Sequence, residues 1–254
     1  GAFKDASGNQ YAGIADSFTW NFMTAGAGDP VVTAFNPPDN AIDVPPDANF
    51  VMVFSEPVWA KTGSIVIRRG DDTDFEIIPA TDGSRVGGDG TNVIVIDPFA
   101  NLESKTPYYV LVDPAAFEDG SGSPFAGIAS RNTWNFGSAD VEPPVAMGFD
   151  PPDDMTGVPF DTELRIFFDE PVVCVSGDIR IYQSPSGPLF QAISVTGPRV
   201  SGGGTDMIRI EPYGTFAPGT GYYVQIDAAA FEDFSGNKYG GIADNSTWNF
   251  VTSP

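Results

Sequence analysis

The sequence predicts an all-β protein built from tandem two-sheet sandwiches. A regular internal repeat and short apolar strands separated by turn residues are the observations that predict it. Trp20, Trp134 and Trp248 lie at identical intervals of 114 residues, and the same step carries Tyr108 onto Tyr222. A fixed period of this size indicates one domain copied in tandem. Each copy can therefore be compared with the other inside one chain.

The repeat divides the 254 residues into three parts. Residues 29–140 and 141–254 are two complete copies, whereas residues 1–28 match only the closing quarter of a copy. We therefore expect residues 1–28 to be the C-terminal fragment of a preceding repeat, in an excerpt from a longer array. A fragment of this size buries too little apolar surface to fold alone, so it needs the rest of its own copy or another partner.

Every secondary-structure element is predicted to be a strand. Runs rich in Val, Ile, Phe and Tyr are punctuated by 29 Gly and 23 Pro, and no stretch keeps a helical period with caps. Seven short strands in about 110 residues fit a sandwich of the immunoglobulin type. In the first copy, strands are predicted near residues 31–36, 49–55, 64–69, 75–80, 92–97, 107–113 and 132–137.

Comparison of the two copies assigns the faces of the strands. Alternate positions stay apolar in both copies, whereas the positions between them accept charge: Val51 becomes Arg165 and Val95 becomes Arg209. A period of two is typical of strands with one buried face. The core is therefore predicted to lie between two sheets.

Aromatic residues are predicted to fill this core. Tyr108 and Tyr222 each follow a threonine by two residues, a spacing that predicts a tyrosine corner, in which the hydroxyl bonds back to the backbone. Trp134 and Trp248 alternate with phenylalanines along the last strand of each copy. They are predicted to be core residues rather than a sugar-stacking platform.

The segments that join the copies are short and end in proline. They run from Thr24 to Pro30 and from Gly137 to Pro144. Because proline restricts the backbone, neighbouring copies are predicted to be semi-rigid relative to each other. With each copy adding roughly 40 Å, an array of them is predicted to be an extended rod.

Four sequence blocks point to one family. The complete copies open with "FNPPDNAIDVPPDANFVMVFSEPV" and "FDPPDDMTGVPFDTELRIFFDEPV", continue through "SGGGTDMIRIEP" and a "T-x-Y" strand entry, and close with "AFEDGSGSPFAGIASRNTWNF" and "AFEDFSGNKYGGIADNSTWNFVT". The chain resembles the S-layer-type bacterial immunoglobulin-like domain, found in S-layer proteins, large surface adhesins and multidomain secreted proteins. The resemblance covers nearly the whole chain and implies a spacer or scaffold. One departure is Ser123, where the other tails carry Asn9 and Asn237.

The composition excludes several classes of partner and site. A net charge of −22 disfavours nucleic acid and anionic membranes and attracts divalent cations. The sequence has no histidine, which removes the usual general base and the usual zinc ligand. Cys174 is the only cysteine, so no intrachain disulfide forms. No apolar run approaches membrane-spanning length, so membrane insertion is not expected.

The acidic loop near the end of each copy predicts a calcium site. The pattern Asp-x-Ser-Gly-Asn supplies hard oxygen donors and a glycine that allows a sharp turn. An Asx-type turn, in which the aspartate accepts local backbone N–H groups, is the alternative. Glu56 and Glu170 are the expected distant ligands. The full set of predicted calcium ligands is Asp5, Asn9, Glu56, Asp119, Glu170, Asp233 and Asn237.

Other motifs are better explained by structure than by chemistry. Glu56 and Glu170 could form carboxylate pairs for glycoside hydrolysis, but nothing in the sequence suggests the cleft that this reaction needs. "GGDGTNVIV" and "SGGGTDMIR" resemble the nonapeptide of calcium-binding β-rolls, yet one per copy predicts a glycine-rich hairpin turn instead. Asn245-Ser246-Thr247 is a lone glycosylation sequon. No catalytic residue is predicted, and the protein is not expected to be an enzyme.

The leading hypothesis is a structural repeat of a long, extracellular or cell-surface bacterial protein: an adhesin stalk, an S-layer or an extracellular filament. The alternatives are a carbohydrate- or protein-binding module, with exposed aromatics such as Trp59 and Tyr109, and a non-catalytic appendage of an extracellular enzyme. Expected partners are neighbouring repeats or protomers, together with a glycan or cell-surface partner. Residues 1–28 include a terminal strand, Phe18 to Thr24, that could self-assemble by strand addition to a neighbouring chain.

Overall fold

The structure is a computed structural model that describes residues 3–15 and 28–254. The chain divides into two compact units, the first of Gly1–Asn101 and Pro107–Gly137, the second of Leu102–Thr106 and Ser138–Pro254. The terminal strand predicted from Phe18 to Thr24, with Trp20, lies outside the described residues. Strand addition through residues 1–28 therefore stays a prediction.

The first unit is a sandwich of two mainly antiparallel sheets. One sheet has the order β1-β3-β7-β6 with β9 beside β3, and the other has the order β2-β10-β8-β4-β5. The strands are β1 Val32–Asn36, β2 Ala41–Val44, β3 Phe50–Ala60, β4 Ser64–Arg69, β5 Asp74–Pro79, β6 Val86–Gly87, β7 Thr91–Ile96, β8 Pro107–Val112, β9 Phe117–Asp119 and β10 Asn135–Ser138.

The second unit repeats this topology strand for strand. Its sheets have the orders β11-β13-β17-β16, with β19 beside β13, and β12-β20-β18-β14-β15. The strands are β11 Ala146–Asp150, β12 Met155–Val158, β13 Leu164–Cys174, β14 Asp178–Gln183, β15 Leu189–Ser194, β16 Val200–Ser201, β17 Thr205–Ile210, β18 Gly221–Ile226, β19 Phe231–Glu232 and β20 Asn249–Thr252. The predicted fold class, tandem immunoglobulin-like sandwiches, is confirmed.

Each described sandwich has more strands than the seven predicted. The additional pieces in the first unit are β2, β6 and β9, which are two to four residues long. A segment so short holds too few side chains to show an alternation, so its pattern cannot be recognised in the sequence. The predicted strand at 49–55 also continues to Ala60, with a register shift between Val53 and Val58.

The two described tryptophans that were predicted to be core residues are sealed inside their sandwiches. Trp134 and Trp248 are 0% exposed. Trp248 stacks on Phe149 with ring centroids 4.6 Å apart, and its indole N–H donates to the carbonyl of Pro151 at 2.9 Å. Trp134 makes the same pair of contacts in the first unit. The indole is thus buried with its one polar group satisfied.

The outward face of one sheet differs between the units, as the copy comparison predicts. In the first unit Val51 pairs with Val95 across β3 and β7. The equivalent arginines of the second unit form ion pairs instead, and Glu163 joins both of them. Since this face is not part of the core, charge replaces apolar side chains there without cost to the interior.

The tyrosine corner predicted at Tyr222 is present. Its hydroxyl accepts a hydrogen bond from the backbone N–H of Ala217 at 3.0 Å, and the tyrosine ring is buried. We expect Tyr222→Phe to lower the free energy of unfolding of the second unit by about 1–3 kcal/mol, because the Ala217 N–H loses its partner. Urea denaturation followed by circular dichroism measures the change. Tyr223→Phe is the matched control, since no hydrogen bond of its hydroxyl is seen in the described part of the chain, and an equal loss in both variants would contradict the corner.

Candidate functional site

The acidic loop of the second unit is an Asx-type turn. Asp233 lies just after β19, is buried, and accepts hydrogen bonds at Oδ1 from the backbone N–H groups of Ser235 at 2.8 Å and Asn237 at 2.9 Å. Its Oδ2 accepts the Asn237 side-chain amide at 2.8 Å. Both carboxylate oxygens therefore cap local groups, which is the alternative that the sequence left open.

The same turn recurs at Asp119. Its Oδ1 accepts the backbone N–H groups of Ser121 at 2.8 Å and Ser123 at 2.7 Å. The hydroxyl of Ser121 reaches Oδ2 at 2.8 Å, which supplies the contact that an asparagine makes in the other loops. Burial alone would raise the pKa of Asp119, but the hydrogen bonds from Ser123 and Ser121 outweigh it and lower the pKa.

Asp5 forms the third copy of this turn. Its carboxylate accepts the backbone N–H groups of Ser7 and Asn9, both at 2.9 Å, and the Asn9 side-chain amide at 2.7 Å. The side-chain hydrogen bond from Asn9 is the largest of the contacts that lower the pKa of Asp5. Three loops of one sequence pattern thus have one hydrogen-bonding design.

A cluster of three carboxylates lies in the second unit. Asp140, Glu170 and Asp233 each offer an oxygen, and these oxygens all lie within 4.8 Å of one another. The ammonium group of Lys105 pairs with Asp140 at 2.8 Å and also with Glu170. The hydrogen bonds that Lys105 donates, first to Asp140 and then to Glu170, raise the pKa of the lysine. The Lys105 ammonium therefore already supplies a positive charge to this cluster.

The cluster brings together only part of the predicted calcium set. Glu170 and Asp233 meet, as expected, but Glu56 belongs to no such group of three among the described residues. Asp140 and Lys105 were not predicted. Their counterparts 114 residues earlier and later are Gly26 and Gly219, so comparison of the copies gave no signal for either. Calcium takes six to eight oxygen ligands, and calcium binding here stays a prediction.

The two aromatics proposed for a binding surface differ in exposure. Trp59 is 38% exposed and lies against Gly90 and Gly120. Tyr109 is only 5% exposed, so the expectation that it is an exposed contact residue is wrong. Its ring is covered by the guanidinium of Arg131, which lies 5.1 Å from the ring centroid.

The loop before Trp248 holds a carboxylate with an unusually low pKa. Asp244 accepts the backbone N–H of Ser246 and both the hydroxyl and the backbone N–H of Thr247, which lowers its pKa from 3.8 to about 2. These residues flank and form the sequon at Asn245, whose side-chain amide donates to the carbonyl of Pro185 at 2.8 Å.

We expect the Asp244 carboxyl to titrate with a midpoint of about 2 in the folded chain, as measured by its ¹³C chemical shift. Because the pKa of Asp244 is lower in the folded chain than in the unfolded chain, its ionised carboxylate stabilises the folded state. This stabilisation is fully present above the ordinary pKa of 3.8 and is lost as the pH falls through about 2. Thr247→Val, which removes the hydroxyl donor, should move the midpoint upwards. A midpoint near 3.8 in the unmodified chain would contradict the hydrogen bonds described for this loop.

Comparison with known proteins assigns the family. Residues 27–138 and residues 140–252 each match the bacterial Ig-like domain family. Because these matches cover most of the chain, the chain belongs to this family. No curated protein sequence matches it.

Several solved structures are similar at low identity. The N-terminal Ig1-2 module of the Drosophila receptor protein tyrosine phosphatase DLAR is 12% identical, with a TM-score of 0.21 over 89% of this chain and 98% of that one. The BSP domain of a biofilm-associated protein is 10% identical, with a TM-score of 0.22, over 89% of this chain and 29% of that one. The N-terminal part of the bacterial S-layer protein SbsC is 15% identical, with a TM-score of 0.29, over 85% and 43%.

Proposed function

We propose that the chain is a pair of non-catalytic structural repeats from a long secreted bacterial surface protein, such as an adhesin stalk, an S-layer or an extracellular filament. The observation that carries this proposal is the repetition of one closed core. Two units of the bacterial Ig-like family have the same strand order and bury the equivalent tryptophan completely. Repetition of a sealed module suits a spacer, whose length is set by the number of copies.

The distribution of polar groups supports the same proposal. The largest fully buried side chains are aromatic and aliphatic, and the buried aspartates Asp119 and Asp233 cap their own loops. Carboxylates committed to local turns are poorly placed to act on a substrate. The described residues contain no helix long and apolar enough to span a membrane.

Single-molecule force spectroscopy of the full chain, pulled from residues 29 and 254, tests this function. A load-bearing spacer should unfold in two discrete steps, each releasing roughly 400 Å of chain for a repeat of this length at about 3.6 Å per residue. The pairing of β2 with β10, and of β12 with β20, should resist the load because each pair joins a strand near the start of its unit to the last strand of that unit. Smooth extension at low force without steps would contradict a mechanical role.

We also propose that calcium rigidifies the second unit, and chelation tests this. If calcium rigidifies the second unit, EDTA lowers the melting temperature and Asp233→Asn gives a chain that no longer responds to calcium. Lys105→Met, which removes the competing ammonium, should then strengthen the response. An unchanged melting curve for both the unmodified chain and Lys105→Met would leave the Asx-type turns as the whole role of these loops.

A further inference from the structure

A groove of about 450 Å³ lies at one side of the first unit, where the chain passes from β1 to β2 and enters β3. β1 and β2 are each the terminal strand in the order of their sheet, so no other described strand lies beside their outer edges. The volume lies within the range of about 300–1,000 Å³ that is typical of ligand sites. The lining residues used below are Asn36, Ile42, Asp43, Pro45, Asn49 and Val51.

The apolar floor of this groove is open to solvent. Ile42 is 79% exposed, Pro45 is exposed and Val51 is half-buried. None of these three side chains belongs to the buried core, so a partner reaches them without any movement of the sandwich. Exposed aliphatic surface of this kind accommodates the methylene stem of a lysine or an arginine, whose charged end stays in water.

The groove also contains a carboxylate without a partner. Within the described ranges, the Asp43 side chain makes no hydrogen bond and no ion pair, and neither do the side-chain amides of Asn36 and Asn49. No lysine or arginine of the described chain lines the groove. A ligand therefore meets one negative charge, two amide oxygens that accept hydrogen bonds, and no competing cation.

Asp43 occupies a backbone position that favours glycine. Its φ is +56°, and the equivalent residue of the second unit is Gly157, with φ of +73°. A residue with a side chain is less stable than glycine in this left-handed conformation. Since the Asp43 carboxylate caps no described backbone N–H group, the turn does not account for it. The carboxylate is better explained by what it presents to the groove.

The second unit places a cation of its own at the equivalent surface. Arg165 occupies the position equivalent to Val51, and its guanidinium donates to Asp150 at 2.9 Å. Asp150 in turn is the counterpart of Asn36. Arg165 also pairs with Glu163. This surface of the fold thus holds an arginine in one copy, whereas the other copy has neutral residues there and an open groove.

We propose that the groove binds an arginine or lysine side chain of a basic partner protein. The methylene stem lies on the apolar floor, and the cationic group lies beside Asp43. The net charge of −22 attracts a basic partner and repels a second copy of this acidic chain. The outer edge of β2 lets the partner's backbone approach in an extended conformation. The site does not depend on the structural role proposed above, because a spacer repeat can carry a binding surface.

Titration of the ¹⁵N-labelled full chain by NMR with three synthetic peptides tests the proposal. The peptides are acetyl-Val-Arg-Val-amide and its versions with lysine or glutamine at the centre. We expect saturable shift changes at the backbone amides of Ile42, Asp43 and Asn49 with at least one of the two cationic peptides, and weaker binding of the glutamine peptide. Asp43→Asn should weaken binding of the cationic peptide about three- to fivefold, as expected for loss of an exposed ion pair.

Val51→Arg is a second variant, which gives the first unit the residue that the second unit has at this position. The added arginine should fill the groove and abolish saturable binding. Val93→Arg is the matched control, because it adds the same charge to the same strand pair but lies outside the groove, and it should leave binding unchanged.

Four results would overturn the proposal. These are no saturable shift with either cationic peptide, equally tight binding of the glutamine peptide, and equal binding to Val51→Arg and Val93→Arg. The fourth is a shift of the same amides with chain concentration in the absence of peptide, which would place a second copy of the chain in the groove.

Discussion

Replacing Trp248 with alanine is expected to lower the free energy of unfolding of the second unit by about 4 kcal/mol, within the range for a buried tryptophan. The side chain is 0% exposed, stacks on Phe149 and donates to the carbonyl of Pro151. The substitution leaves a cavity between the sheets and removes the partner of a backbone carbonyl. The cost of the cavity and the cost of the lost hydrogen bond add. The cavity persists because the rigid sandwich closes it only in part.

Scanning calorimetry of the full chain measures this effect. Trp134→Ala should produce a loss of similar size in the first unit, because its contacts are the same. Trp59→Ala is the control, since that ring is partly exposed and makes no equivalent stack with any ring of the described residues. If Trp248→Ala costs no more than Trp59→Ala, the tryptophan is not a core residue and the sandwich interior is wrongly described.

Replacing Gly202 with alanine is expected to cost the second unit more than about 2 kcal/mol, the upper end of the cost of a left-handed backbone for a residue with a side chain. Gly202 lies between β16 and β17 with φ of +97°, and an added Cβ would be 2.1 Å from the carbonyl oxygen of Met207. Because the obstructing atom is backbone, the hairpin itself must shift. Gly88 in the first unit has the same geometry, with a Cβ only 1.9 Å from the Val93 carbonyl oxygen.

Gly204→Ala separates the cost of the backbone conformation from the cost of the close contact. Urea denaturation of each variant measures the two losses. Gly204 also has a positive φ, of +90°, but nothing lies within 4 Å of an added Cβ. Its loss should therefore be limited to the backbone conformation, about 1–2 kcal/mol. Equal losses at Gly202 and Gly204 would show that the close approach to Met207 has no energetic weight and would contradict the tight hairpin that the glycine-rich sequence predicts.

The fold could be predicted because the sequence contains two versions of the same sandwich. A core position must stay apolar in both copies, whereas an outward position such as Val51 can become Arg165, so the comparison separates the two faces of each strand. The same comparison cannot reveal elements without alternation. The short strands β2, β6 and β9 owe their existence to neighbouring strands that supply hydrogen-bonding partners, and this information is not local in sequence.

The candidate sites were harder to predict for the opposite reason. Their important residues occur in only one copy, so repetition gives them no emphasis. When the copies are aligned, Lys105 and Asp140 correspond to glycines and Arg131 corresponds to an asparagine. Tyr109 was expected to be exposed, yet Arg131 covers its ring. Which charges meet across a fold depends on long-range packing, and the sequence pattern of a strand does not determine it.

Quenching of tryptophan fluorescence by acrylamide tests most directly whether each repeat keeps its apolar residues for its own interior. The measurement uses a chain with Trp20→Phe and Trp59→Phe, in which only Trp134 and Trp248 remain to emit. Sealed sandwiches predict blue-shifted emission that acrylamide barely quenches until the chain is denatured. Quenching of the native chain as efficient as that of the denatured chain would show two open sites in place of two closed cores.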